Sequence, residues 1–208
     1  MKVIQGALRI IGEFRRAYIT LNIAYYGLVV CGMVYVAFNP SLQQSLLQAV
    51  GSTFTEGPLS TVGSAYTGGQ LFQAMALTFV INLLIGSFLY ITLPSLVIPF
   101  SGLLLGAIRA TLWGLLLSPT VPELRIAMIP HSLTLILEGQ AYILAMLAAY
   151  IQGRAFLWPH AVGASTNGQG YLAGLKRSIR LYVLVVILLA LAAIYEALEV
   201  IFLVPRLI

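Results

Sequence analysis

LFQAMALTFVINLLIGSFLYITLPSLVIPFSGLLLGAIRATLWGLLL, residues 71–117, runs for 47 residues with one charged side chain, Arg109. A helix needs roughly 20 apolar residues to cross the hydrocarbon of a bilayer. The stretch is therefore long enough to cross twice, and Pro94 supplies the break between the two passes. Inside a bilayer every backbone polar group has to be bonded within its own segment, which a helix achieves. The expected fold class is all-α: a polytopic membrane protein in which 71–93 and 95–117 form a tight helical hairpin.

Working outward, three more apolar runs qualify as spans. They are 17–38, closed by Asn39-Pro40, then 124–150 and 181–204, giving five transmembrane helices in one membrane domain. Composition agrees, with 60% hydrophobic residues, 8% charged residues and a mean hydropathy of +0.98, far from the mix of a soluble domain. The chain has no Asp, and its six acidic residues are all Glu, which leaves little material for a soluble acid–base enzyme or a carboxylate-rich calcium site. Lone Cys31 cannot make an intrachain disulfide. The first apolar run is too long for a cleaved signal core and reads as a retained span.

Lys and Arg set the orientation, because cytoplasmic segments collect them. Lys2, Arg9, Arg15 and Arg16 precede the first span, and Arg154, Lys176, Arg177 and Arg180 lie between the fourth and fifth. Only Arg125 and Arg206 fall on the other side. The bias predicts a cytoplasmic N-terminus in the cell inner membrane, and it explains the net charge of +5 without any nucleic-acid partner. Residues 1–16 place Val3, Ile4, Ala7, Leu8, Ile11 and Phe14 on one helical face and Lys2, Arg9, Glu13 and Arg16 on the other, the pattern of an amphipathic interfacial helix. Residues 39–70, rich in Ser, Thr and Gly, read as an outer loop. Residues 152–174, with AVGASTNGQGYLAG, read as a flexible inner connection; their glycines do not match a phosphate-binding loop.

Within the apolar runs lie Asn22, Asn82, Arg109, His131, Glu138, Glu196 and Glu199. A charge at the centre of a membrane helix costs roughly 2.5–3.5 kcal/mol on insertion scales, so each needs a protein-facing position and a partner. His131 and Glu138, two turns apart, share one face of their helix, and Glu196 and Glu199 share a face of theirs. At 1.5 Å per residue Arg109 and Glu196 sit at similar depth. The expected arrangement is a buried polar cluster of Asn82, Arg109, His131, Glu138, Glu196 and Glu199, in which Arg109 pairs with Glu196 or Glu138. Such a cluster either locks helix register or titrates in a proton or ion path. The first reading is favoured, because the polar positions form no continuous line from one face to the other. One His per span gives no metal site, no Ser-His-acid set is readable, and no cofactor is expected. Gly102 and Gly106 form a GxxxG pair, read as close contact within the monomer.

Four segments resemble the stage II sporulation protein M family: TFVINLLIGSFL (78–89), SGLLLGAI (101–108), IPHSLTLILEGQAYILAMLAAYIQGRAFLWP (129–159) and LLALAAIYEALEVIF (188–202). The matched positions are Asn82, Pro130, His131 and Glu196. Ser132 stands in place of the family's Gly, Thr134 in place of its Glu, and Val80-Ile81 leaves only Asn82 of its Asn pair. The resemblance implies an integral membrane scaffold or accessory subunit, not an enzyme. Its expected partners are membrane lipids and other membrane proteins, in a hetero-oligomeric complex or a homo-oligomer. The alternative is a permease-like transporter subunit that uses the Arg/Glu cluster.

Overall fold

The structure, a computed structural model, describes residues 2–207 apart from the side chain of Glu123. It is helical throughout, with no strand among the described residues. An amphipathic α1 (Lys2–Glu13) breaks at Phe14 before α2 (Arg15–Ala37). Next come α3 (Pro40–Thr55), α4 (Ser60–Thr67) and α5 (Leu71–Val80). The last runs without interruption through a wide π-helical stretch, Ile81–Thr92, into the short α6 (Leu93–Val97). Then follow α7 (Ser101–Leu116), α8 (Pro122–Leu157) and α9 (Asn167–Leu198), which continues as a π turn over Glu199–Leu203.

Four helices are long and apolar enough to cross a membrane: Arg15–Ala37, Leu71–Val97, Leu124–Leu157 and Asn167–Arg206. The fifth apolar helix, Ser101–Leu116, has 16 residues, about 24 Å at 1.5 Å per residue against a hydrocarbon thickness of about 30 Å. It is shorter than expected because Pro94 does not end the preceding helix. Pro94 lies where the π-helical stretch passes into α6, within a helix that runs on to Val97; membrane helices tolerate such a proline where local π adjustments and neighbouring helices accommodate the missing bond. The chain turns later, at Pro99 and Phe100, and Phe100 adopts the left-handed conformation with φ 68°.

At the centre stands α8, whose residues 141–149 are buried without exception, with α2, α7, α9 and the π-helical stretch around it. The outer faces carry exposed apolar side chains, among them Ile23, Phe38, Phe72, Val97, Leu104 and Ile129. Exposed apolar surface on this scale suits hydrocarbon.

Small residues set the helix spacing. Gly102, Gly106, Ala110 and Gly114 form a buried stripe along α7. A Cβ on Gly102 would lie 2.3 Å from the Ile91 carbonyl, and one on Gly106 would lie 2.4 Å from Met146 Sδ. The GxxxG pair therefore serves contact within the chain, which lets backbones approach closely.

Two segments expected as loops are helical. Residues 39–70 form α3 and α4. Pro40 opens α3 at a position suited to Pro, and Gln43, Leu47, Val50 and Phe54 recur at spacings of three and four along one face. In 152–174, α8 runs on to Leu157 and α9 already begins at Asn167, where the Thr166 side chain accepts from the Gln169 amide at 3.3 Å. Gly170 and Gly174 are packing residues there, since a Cβ on Gly170 would meet the Ala155 carbonyl at 2.1 Å. Their backbone lies against α8, and that contact orders what composition marks as flexible.

Candidate functional site

At the end of the bundle that carries α3, a cavity of about 290 Å³ opens between the helices. Asn82, Arg109, His131, Thr134, Glu138 and Glu196 line it, and Leu47, Val50 and Phe54 of α3 form its apolar roof. Five of the six residues expected in the polar cluster reach this cavity. The sixth, Glu199, is buried beside it and bonded to His131.

Helix register explains the convergence. Thr134, Glu138 and Tyr142 are four apart on α8 and point to one side. Asn82 lies in the first turn of one π-helical stretch and Glu199 begins the other. The wider turn rotates each side chain out of the register an α-helix would impose; π insertions commonly mark such sites.

One half of the network runs from Arg109 to Glu138. Arg109 Nη2 donates to the Tyr142 hydroxyl at 2.7 Å, Tyr142 donates to Asn82 Oδ1 at 2.9 Å, and Asn82 Nδ2 donates to Glu138 Oε1 at 2.5 Å. The expected ion pair of Arg109 with Glu138 or Glu196 does not form. Among the described residues no carboxylate oxygen lies within 4.0 Å of the guanidinium. The aromatic side chains at this level take its place, for the guanidinium carbon sits 4.0 Å from the Tyr142 ring centroid and 5.2 Å from that of Trp113. Cation–π attraction strengthens where water is excluded. Arg109 Nε is buried with no hydrogen-bond partner among the described residues.

The other half centres on Glu199. Its Oε1 lies 3.1 Å from His131 Nδ1, and its Oε2 accepts from Thr134 Oγ1 at 2.9 Å. Both carboxylate oxygens are thus occupied, which a buried carboxylate requires. Glu138 and Glu196 both line the cavity between the two halves. Tyr195 donates to the Pro130 carbonyl at 3.1 Å, tying α9 to α8 next to the helix-interior proline.

Outside the apolar helices, Tyr66 of α4 meets Thr78 Oγ1 at 2.8 Å. Burial, then the nearby charge of Glu196, pushes its phenol above the usual range. It is a neutral hydrogen-bonding group there. Asn22 belongs to a separate node: Gln140 Nε2 donates to Asn22 Oδ1 at 2.7 Å, and Tyr18 donates to Gln140 Oε1 at 2.6 Å. Gln43 of α3 donates to the carbonyls of Leu116 and Ser118 at 3.1 and 2.7 Å. The Leu116 carbonyl is a helix-end acceptor that α7 itself leaves open, and Ser118 follows just past the helix, so α3 both roofs the cavity and holds the end of α7.

Tyr142 is not among the residues the sequence singles out, although it lies one turn beyond Glu138 on the same face. The α3 stripe is likewise visible only as a spacing of three and four within a polar composition. Among the described residues no group of three His, Cys or acidic side chains could hold a metal ion.

Fold and site define a class: an all-helical protein with four helices fit to cross a bilayer and a group of ionisable side chains, Arg109, His131, Glu138, Glu196 and Glu199, gathered at one cavity. No family model matches the chain, and neither the curated proteins nor the solved structures include one similar to it.

Proposed function

We propose that the chain is a non-catalytic, multi-pass subunit of the inner cell membrane that assembles or stabilises partner proteins there. One observation carries this reading: the polar side chains of the cluster are bonded mainly to other helices of the same chain, Glu199 to His131 and Thr134, Glu138 to Asn82. Groups held in that way fix helix register, as interhelical hydrogen bonds in membranes do. In this reading α7, which packs its small-residue face against the longer helices and leaves Leu104, Ile108 and Leu112 exposed, is the fifth span, and the eight-to-two distribution of Lys and Arg puts the N-terminus in the cytoplasm. The resemblance to the stage II sporulation protein M family supports the same role. Copurification in mild detergent with identification of the bound chains tests it: stoichiometric membrane partners are expected, and a chain that always emerges alone and monomeric refutes it.

A permease-like role is the second reading, favoured by the 290 Å³ cavity into which Arg109, Glu138 and Glu196 converge. A solute flux abolished by Glu138→Gln or Glu196→Gln in normally folded protein would establish it in place of the first.

A further inference from the structure

A different cavity lies near the basic end, some 16 residues along α9 from Glu196, which is about 24 Å of helix. It has a volume of about 410 Å³ and is framed by Lys2, Gln5, Gly6 and Arg9 of α1 and by Arg180 of α9. Lys2, Gly6 and Arg9 are spaced by four and three and form one stripe of α1. A Cβ on Gly6 would stand 4.0 Å from Arg180 Cδ. The aliphatic stem of Arg180 thus passes alongside α1 at Gly6, and Arg180 borders the same cavity as Lys2 and Arg9.

Three cations from two helices frame one space, and among the described residues no carboxylate forms an ion pair with them. The ion pairs among the described residues are His131–Glu199 and Arg177–Glu13. The second, at 3.6 Å and largely exposed, joins α1 to α9 beside the cavity but contributes little by itself. The rest of α1 divides sharply. Ala7 and Ile10 pack into the core, whereas Val3, Ile4 and Leu8 are 54%, 38% and 55% exposed. Cationic groups bordering a cavity, with bare apolar side chains next to them on the same helix, match an amphiphile whose head is an anion.

We propose that this cavity binds the phosphate headgroup of an anionic phospholipid, with Arg9 and Arg180 as the principal ligands and Lys2 as a third charge. Guanidinium groups bind phosphate oxygens through paired N–H donors, and anionic headgroups attract interfacial cations. The acyl chains then run along Val3, Ile4 and Leu8, which a soluble phosphate would leave bare. The lipid neutralises the repulsion among the three cations and fastens α1 to α9. The proposal does not depend on the scaffold or permease reading.

The test uses the full chain in nanodiscs and native mass spectrometry of lipid retention, comparing phosphatidylglycerol with phosphatidylcholine. Wild type should retain phosphatidylglycerol preferentially. Arg9→Gln/Arg180→Gln should weaken that retention roughly 30-fold, from about 1 kcal/mol per interfacial cation. Arg125→Gln/Arg206→Gln, at the other cations' positions, should leave it unchanged. Equal retention of the two lipids, or equal loss in both double variants, overturns the proposal. Displacement of the lipid by millimolar inorganic phosphate overturns the lipid assignment in favour of a soluble phosphate. Should the first double variant fail to fold, a photoreactive phosphatidylglycerol on wild type decides: adducts within 2–9 and 176–180 support the site, and adducts elsewhere refute it.

Discussion

Gly114→Ala adds one methyl group at the crossing of α2 and α7, where the backbone of α2 already stands. The new Cβ would lie 2.1 Å from the Val29 carbonyl oxygen, 2.9 Å from its carbon and 3.0 Å from Gly32 Cα. All three are backbone atoms and cannot rotate away. Ordinary contact begins at 3.4 Å, so the two helices must part by 1.3 Å, the difference between 3.4 and 2.1 Å. Overpacking of this kind costs about 1–3 kcal/mol. For a chain of this length that corresponds to a fall in melting midpoint of roughly 2–12 °C. Gly27→Ala is the matched control, in the same helix pair but with nothing within 4 Å of its Cβ; it should hold or slightly raise stability through helix propensity. Heating purified protein in one detergent at one rate, followed by the monodisperse fraction on size exclusion, gives the two midpoints under identical irreversible conditions. A Gly114→Ala midpoint equal to or above that of Gly27→Ala would show that α2 and α7 do not cross at these glycines.

Glu199→Ala leaves His131 and Thr134 without their shared acceptor; in the same melts it should cost about 1–3 kcal/mol, and more than Thr134→Val, which removes one bond. A ranking in the reverse order would place the weight of the node elsewhere. Tyr142→Phe keeps the ring under Arg109 but removes the hydroxyl between Arg109 and Asn82, for an expected loss of about 1–3 kcal/mol. An unshifted midpoint would mean that the guanidinium is held by cation–π contact alone. Gln43→Ala strips the cap from the Leu116 and Ser118 carbonyls. Limited proteolysis should then cut faster between 116 and 121 than in wild type, and an unchanged cleavage rate would separate α3 from the end of α7.

The gathering of ionisable groups follows a cost that composition already implies. Asn82, Arg109, His131, Glu138, Glu196 and Glu199 could be singled out because each interrupts an apolar run, and a charge in such a run must turn toward protein. Which partner each would find was beyond spacing arguments. Those arguments matched Arg109 to Glu196 by depth, but depth along an axis says nothing of rotation about it. The bulk of Tyr142 and Trp113 then took the position beside the guanidinium. Residues 39–70 misled for another reason: Ser, Thr and Gly suggest a loop, while the α3 stripe of Gln43, Leu47, Val50 and Phe54 is stabilised only once α7 and the cavity are there to cover.

By itself the sequence determined the class of structure, because long apolar runs with almost no charge have to bond their own backbones, and the helix is the form that does so within one segment. It also marked which side chains could not face outward. The tertiary structure decided how those helices stand against each other: where Pro94 is absorbed and Phe100 turns the chain, which glycines touch which carbonyls, and which donor each buried carboxylate receives. These depend on the relative rotation and separation of helices far apart in the chain, and local periodicity holds no record of either.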